Sequence, residues 1–222
     1  MQDGQNVFDP ATSYVGVDWG LRETCDRLIA AGKMAPIIIV APYNTPERES
    51  EYTPVRDESQ GGGGSGDLYG RFLVEELKPI VDARWRTRPG AGDTAIMGSS
   101  LGGLISLHIA LTRPDAFSLA GVVSPSLWWG GEEILKRAAF APPPDPLPKI
   151  WADMGTREGL EENEQNQGVE RLKKLAAILE TRGWAPGVNF GAKIYEGAEH
   201  NEAAWRERAG FILTFLFPPA SY

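Results

Sequence analysis

Of 222 residues, one is cysteine and two are histidine. A lone cysteine makes no internal disulfide, so the fold does not rest on an oxidising compartment. Cys25 sits on an apolar stripe and reads as a small buried hydrophobe rather than a reactive thiol. No apolar run approaches the roughly 18 to 20 residues of a membrane span. Basic residues are outnumbered, 22 Lys and Arg against 30 Asp and Glu, for a formal charge of −8. That balance disfavours nucleic acid and anionic lipid as partners. No Cys/His group has metal-ligand spacing, and no G-x-x-x-x-G-K-[ST] is present. Neither a metal nor a cofactor is expected. The opening residues are neither basic nor strongly apolar, so no secretory signal is visible there and a cytoplasmic location is the default.

What is present suits one folded domain spanning 1–222, since 42% of the residues are hydrophobic and 23% charged. Short β-branched runs alternate with helical periodicity. Strands are expected over 36–41, 94–97, 119–123, 149–154 and 189–195, and helices over 17–31, 68–85, 101–111, 168–182 and 202–216. That alternation predicts an α/β fold with a mostly parallel sheet covered by helices on both faces. The charged stretch 158–170 reads as a solvated helix face. The long connection ending in the glycine run 61–66 reads as a flexible surface loop, or as a lid. Residues 141–148, rich in proline, read as a stiff spacer.

Gly98-Ser99-Ser100-Leu101-Gly102 matches G-x-S-x-G between an expected strand and an expected helix, the context that motif requires. Ser100 is the candidate nucleophile, with the N–H of Leu101 and the helix dipole directed at an oxyanion. The bland alternative is a tight structural turn. A serine needs a base. His108 lies about two turns into the following helix, some 12 Å away along its axis, and reads as a core histidine. His200 follows the last strand, where ligands bind in open α/β sheets, and is the candidate base.

The acid that holds the base must lie between them in the chain. Glu158, at the end of Gly155-Thr156-Arg157-Glu158, is the choice; Asp153, inside the strand, is the competitor, and Glu161, Glu162 and Glu164 read as solvated helix-start carboxylates. A second oxyanion donor is sought in Asp3-Gly4-Gln5-Asn6, from the N–H of Gln5 or of Gly4, against the alternative of a plain glycine turn. Trp128, Trp129 and Tyr52 are candidate walls of the substrate pocket, with packing an equal alternative for the two tryptophans. Trp19, Trp85, Trp151, Trp184 and Trp205 read as packing.

Five stretches together, residues 1–8, 98–103, 124–129, 155–158 and 197–201, resemble the putative-esterase family of α/β-hydrolases. That family takes in esterase D-like enzymes, enterobactin-type siderophore esterases, and feruloyl and acetylxylan esterases. The resemblance implies Ser100 as nucleophile, His200 as base and Glu158 as acid, although many relatives carry aspartate at the last position. In relatives the D-G-Q-N stretch closes the third strand; here it opens the chain, so the sheet is expected to lack its first antiparallel strands. An upstream region, if there is one, could carry a secretion signal. The exposed edge would need cover, and a homodimer is one way to supply it.

The expected activity is serine carboxylic-ester hydrolysis through an acyl-enzyme, on short-chain, acetyl or feruloyl-type esters. The alternatives are a siderophore-ester hydrolase, an acyltransferase with the same three residues, or a non-catalytic binding module of the same fold.

Overall fold

The computed structural model describes residues 1–159 and 161–219. Helix α1 (Leu21–Ala30) and the single turn α2 (Arg48–Glu51) come first. A two-residue hairpin follows, β1 (Arg56–Asp57) against β2 (Gly62–Gly63). Helices α3 (Gly66–Arg71) and α4 (Lys78–Arg84) are joined end to end by a π-helical turn over Phe72–Leu77. Then strands and helices alternate: β3 (Ala95–Ser99), α5 (Leu101–Thr112), β4 (Leu119–Val123), α6 (Trp129–Phe140), β5 (Lys149–Arg157), α7 (Glu162–Thr181), β6 (Phe190–Glu199) and α8 (Glu202–Leu216). The main sheet has the order β3-β4-β5-β6, and all of its neighbours are parallel.

The apolar runs are continuous because this sheet is buried on both faces, and the period of two sorts their side chains. Ile96, Ala120, Val122, Ile150 and Ala152 enter one core, with Leu104, Ile105 and Leu107 of α5 and Leu172, Leu175 and Leu179 of α7. Met97, Leu119 and Val123 enter the other, with Leu21, Cys25 and Leu28 of α1 and Ala209, Ile212 and Leu213 of α8. Helix α5 lies among the fully buried elements, which is why it is apolar all round.

Four expectations change. Residues 36–41 are extended but form no strand. They are separated from β3 by a cavity of about 470 Å³ lined by Ile37, Ile39, Leu73, Leu77, Ile96 and Phe117, among others. At one end the first residues bridge the gap: the Met1 amine donates to Val40 O at 2.9 Å, Gln2 N to Met97 O and Gly4 N to Pro42 O, both at 2.8 Å. Burial pushes the pKa of that amine down to about 5, against the pull of Asp3. With its ladder positions open to the cavity, the 36–41 run leaves Ile38 half exposed.

The glycine run is pinned rather than loose. Gly64 N donates to Thr53 Oγ1 at 3.0 Å, Ser65 N to Ser50 O and Gly66 N to Thr53 O at 2.9 Å. Trp85, expected to pack, is 64% exposed, whereas Trp19, Trp184 and Trp205 are buried. Helix α6 was not expected; three consecutive residues with positive φ, Gly130, Gly131 and Glu132, hide its start from helical periodicity. Among the described residues no helix is long and apolar enough to cross a membrane.

Candidate active site

Each strand of the main sheet hands its chain to a polar residue at the carboxyl edge. Ser100 follows β3, Ser124 follows β4, Glu158 follows β5 and His200 follows β6. Parallel pairing aligns the ends in two pairs, Ser99 opposite Val123 for β3 and β4 and Arg157 opposite Glu199 for β5 and β6, while β5 runs four residues past Asp153, the partner of Val123.

Ser100 is the residue between β3 and α5, held at φ 59°, ψ −124°. A non-glycine residue with positive φ costs on the order of 1 to 3 kcal/mol and persists only where its surroundings fix it. Here Ser100 N donates to Val123 O at 3.1 Å, and Ser100 O opens the α5 ladder by accepting from Leu104 N at 3.0 Å. The turn is tight enough that a Cβ on Gly98 would come within 2.7 Å of the Gly102 backbone. Ser100 Oγ lies 3.3 Å from Ser126 Oγ. Among the described residues no hydrogen bond joins it to His200.

Glu158 and His200 do meet, through Glu158 Oε2 and His200 Nδ1 at 3.0 Å. The other oxygen, Oε1, accepts from Gly155 N at 2.6 Å, Ser124 Oγ at 2.7 Å and Arg208 Nη2 at 2.9 Å. Burial alone would raise the Glu158 carboxyl, but the hydrogen bonds from His200 and Ser124 and the cationic partners outweigh it and hold its pKa below the ordinary value. With Nδ1–H donated to Glu158, the lone pair of Nε2 is left for a proton. The imidazole stands edge-on to Trp205, centroids 5.0 Å apart at 83°.

Asp153 occupies a different place. It is fully buried within β5, accepts from Trp151 Nε1 at 2.8 Å and pairs with Arg208 Nη1 at 3.1 Å. Burial pushes its pKa up to about 6 despite Arg208. His108 is buried in α5 and bonded through Nε2 to Asp67 Oδ1 at 2.7 Å, away from this edge, as a core histidine would be.

The first residues pack against the start of α5, since a Cβ on Gly102 would meet Gln2 Cβ at 3.1 Å and Asp3 Oδ2 at 3.3 Å. Asp3, at φ 54°, accepts from Arg48 Nε at 2.7 Å, Arg48 Nη2 at 2.9 Å and Asn44 Nδ2 at 2.6 Å. The N–H of Gly4 is spent on Pro42 O, which removes Gly4 from the oxyanion donors. Among the described residues the N–H of Gln5 has no protein acceptor, and neither does that of Leu101, the first residue of α5.

Two candidate pocket residues are corrected. Tyr52 is fully buried, with its hydroxyl accepting from Asp3 N at 3.2 Å, so it props the 1–6 loop from behind. Trp129 is 2% exposed and donates from Nε1 to Val55 O at 2.7 Å, fastening the 53–57 stretch to α6. Trp128 alone of the three reaches solvent, at 40% exposure. Ser124, Trp205 and Arg208 were not anticipated. Arg208 had a legible signal, a charged residue on the same α8 stripe as Trp205, Ala209 and Ile212. Among the described residues no cluster of His, Cys, Asp and Glu could hold a metal ion.

The model of the family described as "Putative esterase" matches residues 1–211. The chain belongs to that esterase family. Among its curated relatives is the siderophore enterobactin esterase of Emericella nidulans, 29% identical over 182 residues, which cover 80% of this chain and 52% of that protein. Another is an endo-1,4-beta-xylanase/feruloyl esterase of Xylanibacter ruminicola, 27% identical over 206 residues, 87% of this chain and 24% of that protein. The chain thus spans about half or less of the length of these two relatives. In fold it is similar to the siderophore hydrolase EstA of Aspergillus nidulans, with a TM-score of 0.70 at 22% identity, covering 97% of this chain and 81% of that one. The IroE-like serine hydrolase of Shewanella oneidensis gives 0.72 at 19% identity, covering 96% and 67%. The α/β-hydrolase fold expected of this esterase family is the fold observed.

Proposed function

We propose that the chain hydrolyses carboxylic esters through an acyl-enzyme formed on Ser100. The observation that carries this reading is the Glu158–His200 pair at 3.0 Å, placed at the same sheet edge as a serine in a strained strand-to-helix turn.

His200 Nε2 takes the proton of Ser100 Oγ as that oxygen bonds to the ester carbonyl carbon. In the free protein Ser100 Oγ is 3.3 Å from Ser126 Oγ; catalytic hydrogen bonds are often open before substrate binds. The carbonyl oxygen becomes an oxyanion facing the N–H groups of Leu101 and Gln5, with the positive end of α5 beneath it. Glu158 holds the imidazole in the tautomer that can accept and balances the imidazolium once formed. His200 then gives its proton to the departing alcohol. In the second half it takes one from water, whose oxygen attacks the acyl carbon, and returns it to Ser100 Oγ as that bond breaks and the carboxylic acid leaves.

The relatives suggest two substrate classes, siderophore esters and feruloyl esters, and either presents an acyl carbonyl to the same machinery. Ser100→Ala in a panel of p-nitrophenyl acetate, a hydrolysable siderophore ester and methyl ferulate tests the proposal. Wild-type turnover of at least one ester that falls to background in the variant supports it; equal turnover by both proteins, or none by either, contradicts it.

A further inference from the structure

Behind the proposed acid lies a buried charge cluster that touches neither Ser100 nor His200. Arg208 of α8 is 1% exposed, and its two terminal nitrogens serve different carboxylates: Nη1 pairs with Asp153 Oδ1 at 3.1 Å and Nη2 with Glu158 Oε1 at 2.9 Å. Nη2 also donates to Ser124 Oγ at 2.9 Å, which itself donates to the same Glu158 oxygen and accepts from Trp205 Nε1 at 2.9 Å. Asp153 is fixed in turn by Trp151 Nε1 at 2.8 Å. The result is a chain of contacts, Trp151 to Asp153 to Arg208 to Glu158 to His200. Three donors pin Oε1 of Glu158, so Oε2 is the oxygen presented to the imidazole.

We infer that Arg208 and Asp153 are positioning residues of the ester-hydrolysing site: Arg208, bridging the two carboxylates, fixes the orientation of Glu158, and the charges of the pair set how readily His200 takes a proton. This rests on the proposed roles of Ser100, His200 and Glu158.

The sign follows from counting charge. Asp153, Glu158 and Arg208 sum to one negative charge, which a proton on His200 cancels. Above the Asp153 pKa of about 6, taking away the Asp153 charge leaves a neutral pair and disfavours that proton; taking away Arg208 removes the cation that holds the Asp153 carboxyl down, so Asp153 takes up a proton itself and the net charge beside His200 changes little. The other groups facing this cluster are fixed across the comparison. From β6 these are Tyr195, whose ring lies 5.2 Å from the guanidinium, and Lys193, 4.6 Å from that ring. From the start of α8 it is Glu202, which shares the field of His200, Asp3 and Arg48.

The test is the pH profile of kcat/KM for p-nitrophenyl acetate in wild type, Arg208→Met, Arg208→Lys and Asp153→Asn, each checked for folding by circular dichroism. The acid limb should move down by about one pH unit in Asp153→Asn; in Arg208→Met, where a proton on Asp153 offsets the lost cation, it should move clearly less while kcat falls roughly tenfold or more. Arg208→Lys keeps the charge but replaces a planar fork that serves the two carboxylates from separate nitrogens with one shorter point donor. It should lose roughly tenfold or more in kcat with KM within about twofold. An amide at 153 sets an N–H against Trp151 or Arg208 and lowers the melting temperature, but that leaves the direction of the limb unaffected. If Arg208→Met does not fold, the limb in Asp153→Asn decides. An Asp153→Asn limb that coincides with wild type, or an Arg208→Lys kcat within about twofold of wild type, overturns the inference. Failure of the underlying reading looks different: Ser100→Ala would then match wild type in turnover.

Discussion

Glu158 and His200 are 42 residues apart in the chain and joined at 3.0 Å, each the first residue beyond a strand of the same parallel sheet. The pairing is a product of topology. β5 and β6 are neighbours, and the register that sets Gly155 against Tyr195 and, past a bulge, Arg157 against Glu199 delivers the two residues side by side.

That relationship separates two carboxylates by role. Glu158→Gln keeps the shape but puts an amide where the imidazole N–H needs an acceptor, and kcat should fall by about 10³ to 10⁴. Steady-state kinetics on p-nitrophenyl acetate at pH 8 checks this. A loss under tenfold would mean that the histidine is held by something else.

The same carboxyl carries a pH signature in stability. Its pKa is lower folded than unfolded, so the contribution is present above about pH 4.5 and is lost as pH falls through the folded value. Asp153 has the opposite sign: raised from 3.8 to about 6, it costs stability as pH rises through that window, and the cost persists above it. Urea midpoints of wild type and Glu158→Gln should therefore differ most above about pH 4.5 and draw together as pH falls below it. A gap independent of pH would contradict the assignment.

Asp3 is held left-handed by Arg48 and Asn44, and this fixes the loop that presents Gln5. Arg48→Ala frees the loop while leaving Ser100, Glu158 and His200 in place. We expect kcat to fall roughly 10- to 100-fold, together with a lower melting temperature because the buried Asp3 carboxylate loses its cation. Unchanged kcat would remove Gln5 from the proposed oxyanion donors.

The neighbouring tryptophans should part company. Trp129→Phe deletes the donor to Val55 O from a buried site and should cost about 1 to 3 kcal/mol in unfolding with KM unchanged. Trp128→Ala, at the 40% exposed neighbour whose ring packs against Trp129, should raise KM, with a stability loss set by the apolar area it gives up. Thermal melts beside Michaelis–Menten curves distinguish the two; the reverse pattern would reinstate Trp129 as a pocket wall.

The strands 95–99, 119–123 and 149–157 were legible because burial on both faces leaves an unbroken apolar run. The positions of Ser100, Glu158 and His200 at the carboxyl edge were legible because their motifs sit where such strands end. Run 36–41 looks the same in sequence, yet a strand is defined by partners, and partners are not written locally. Gly61–Gly66 has the composition of a flexible spacer but is packed under Thr53 and Trp129, a long-range constraint with no local mark. Tyr52 and Trp129 carry polar tips that suit a pocket or a core equally, and only the positions of Asp3 N and Val55 O decide between them.

The most direct measurement is a mass spectrum of the protein quenched during turnover of a slowly released ester, with peptide mapping of wild type and Ser100→Ala. The account predicts one acyl group per chain, located on Ser100 and absent from the variant. An acyl group on another residue, or hydrolysis with no acylated protein at any time point, would contradict it.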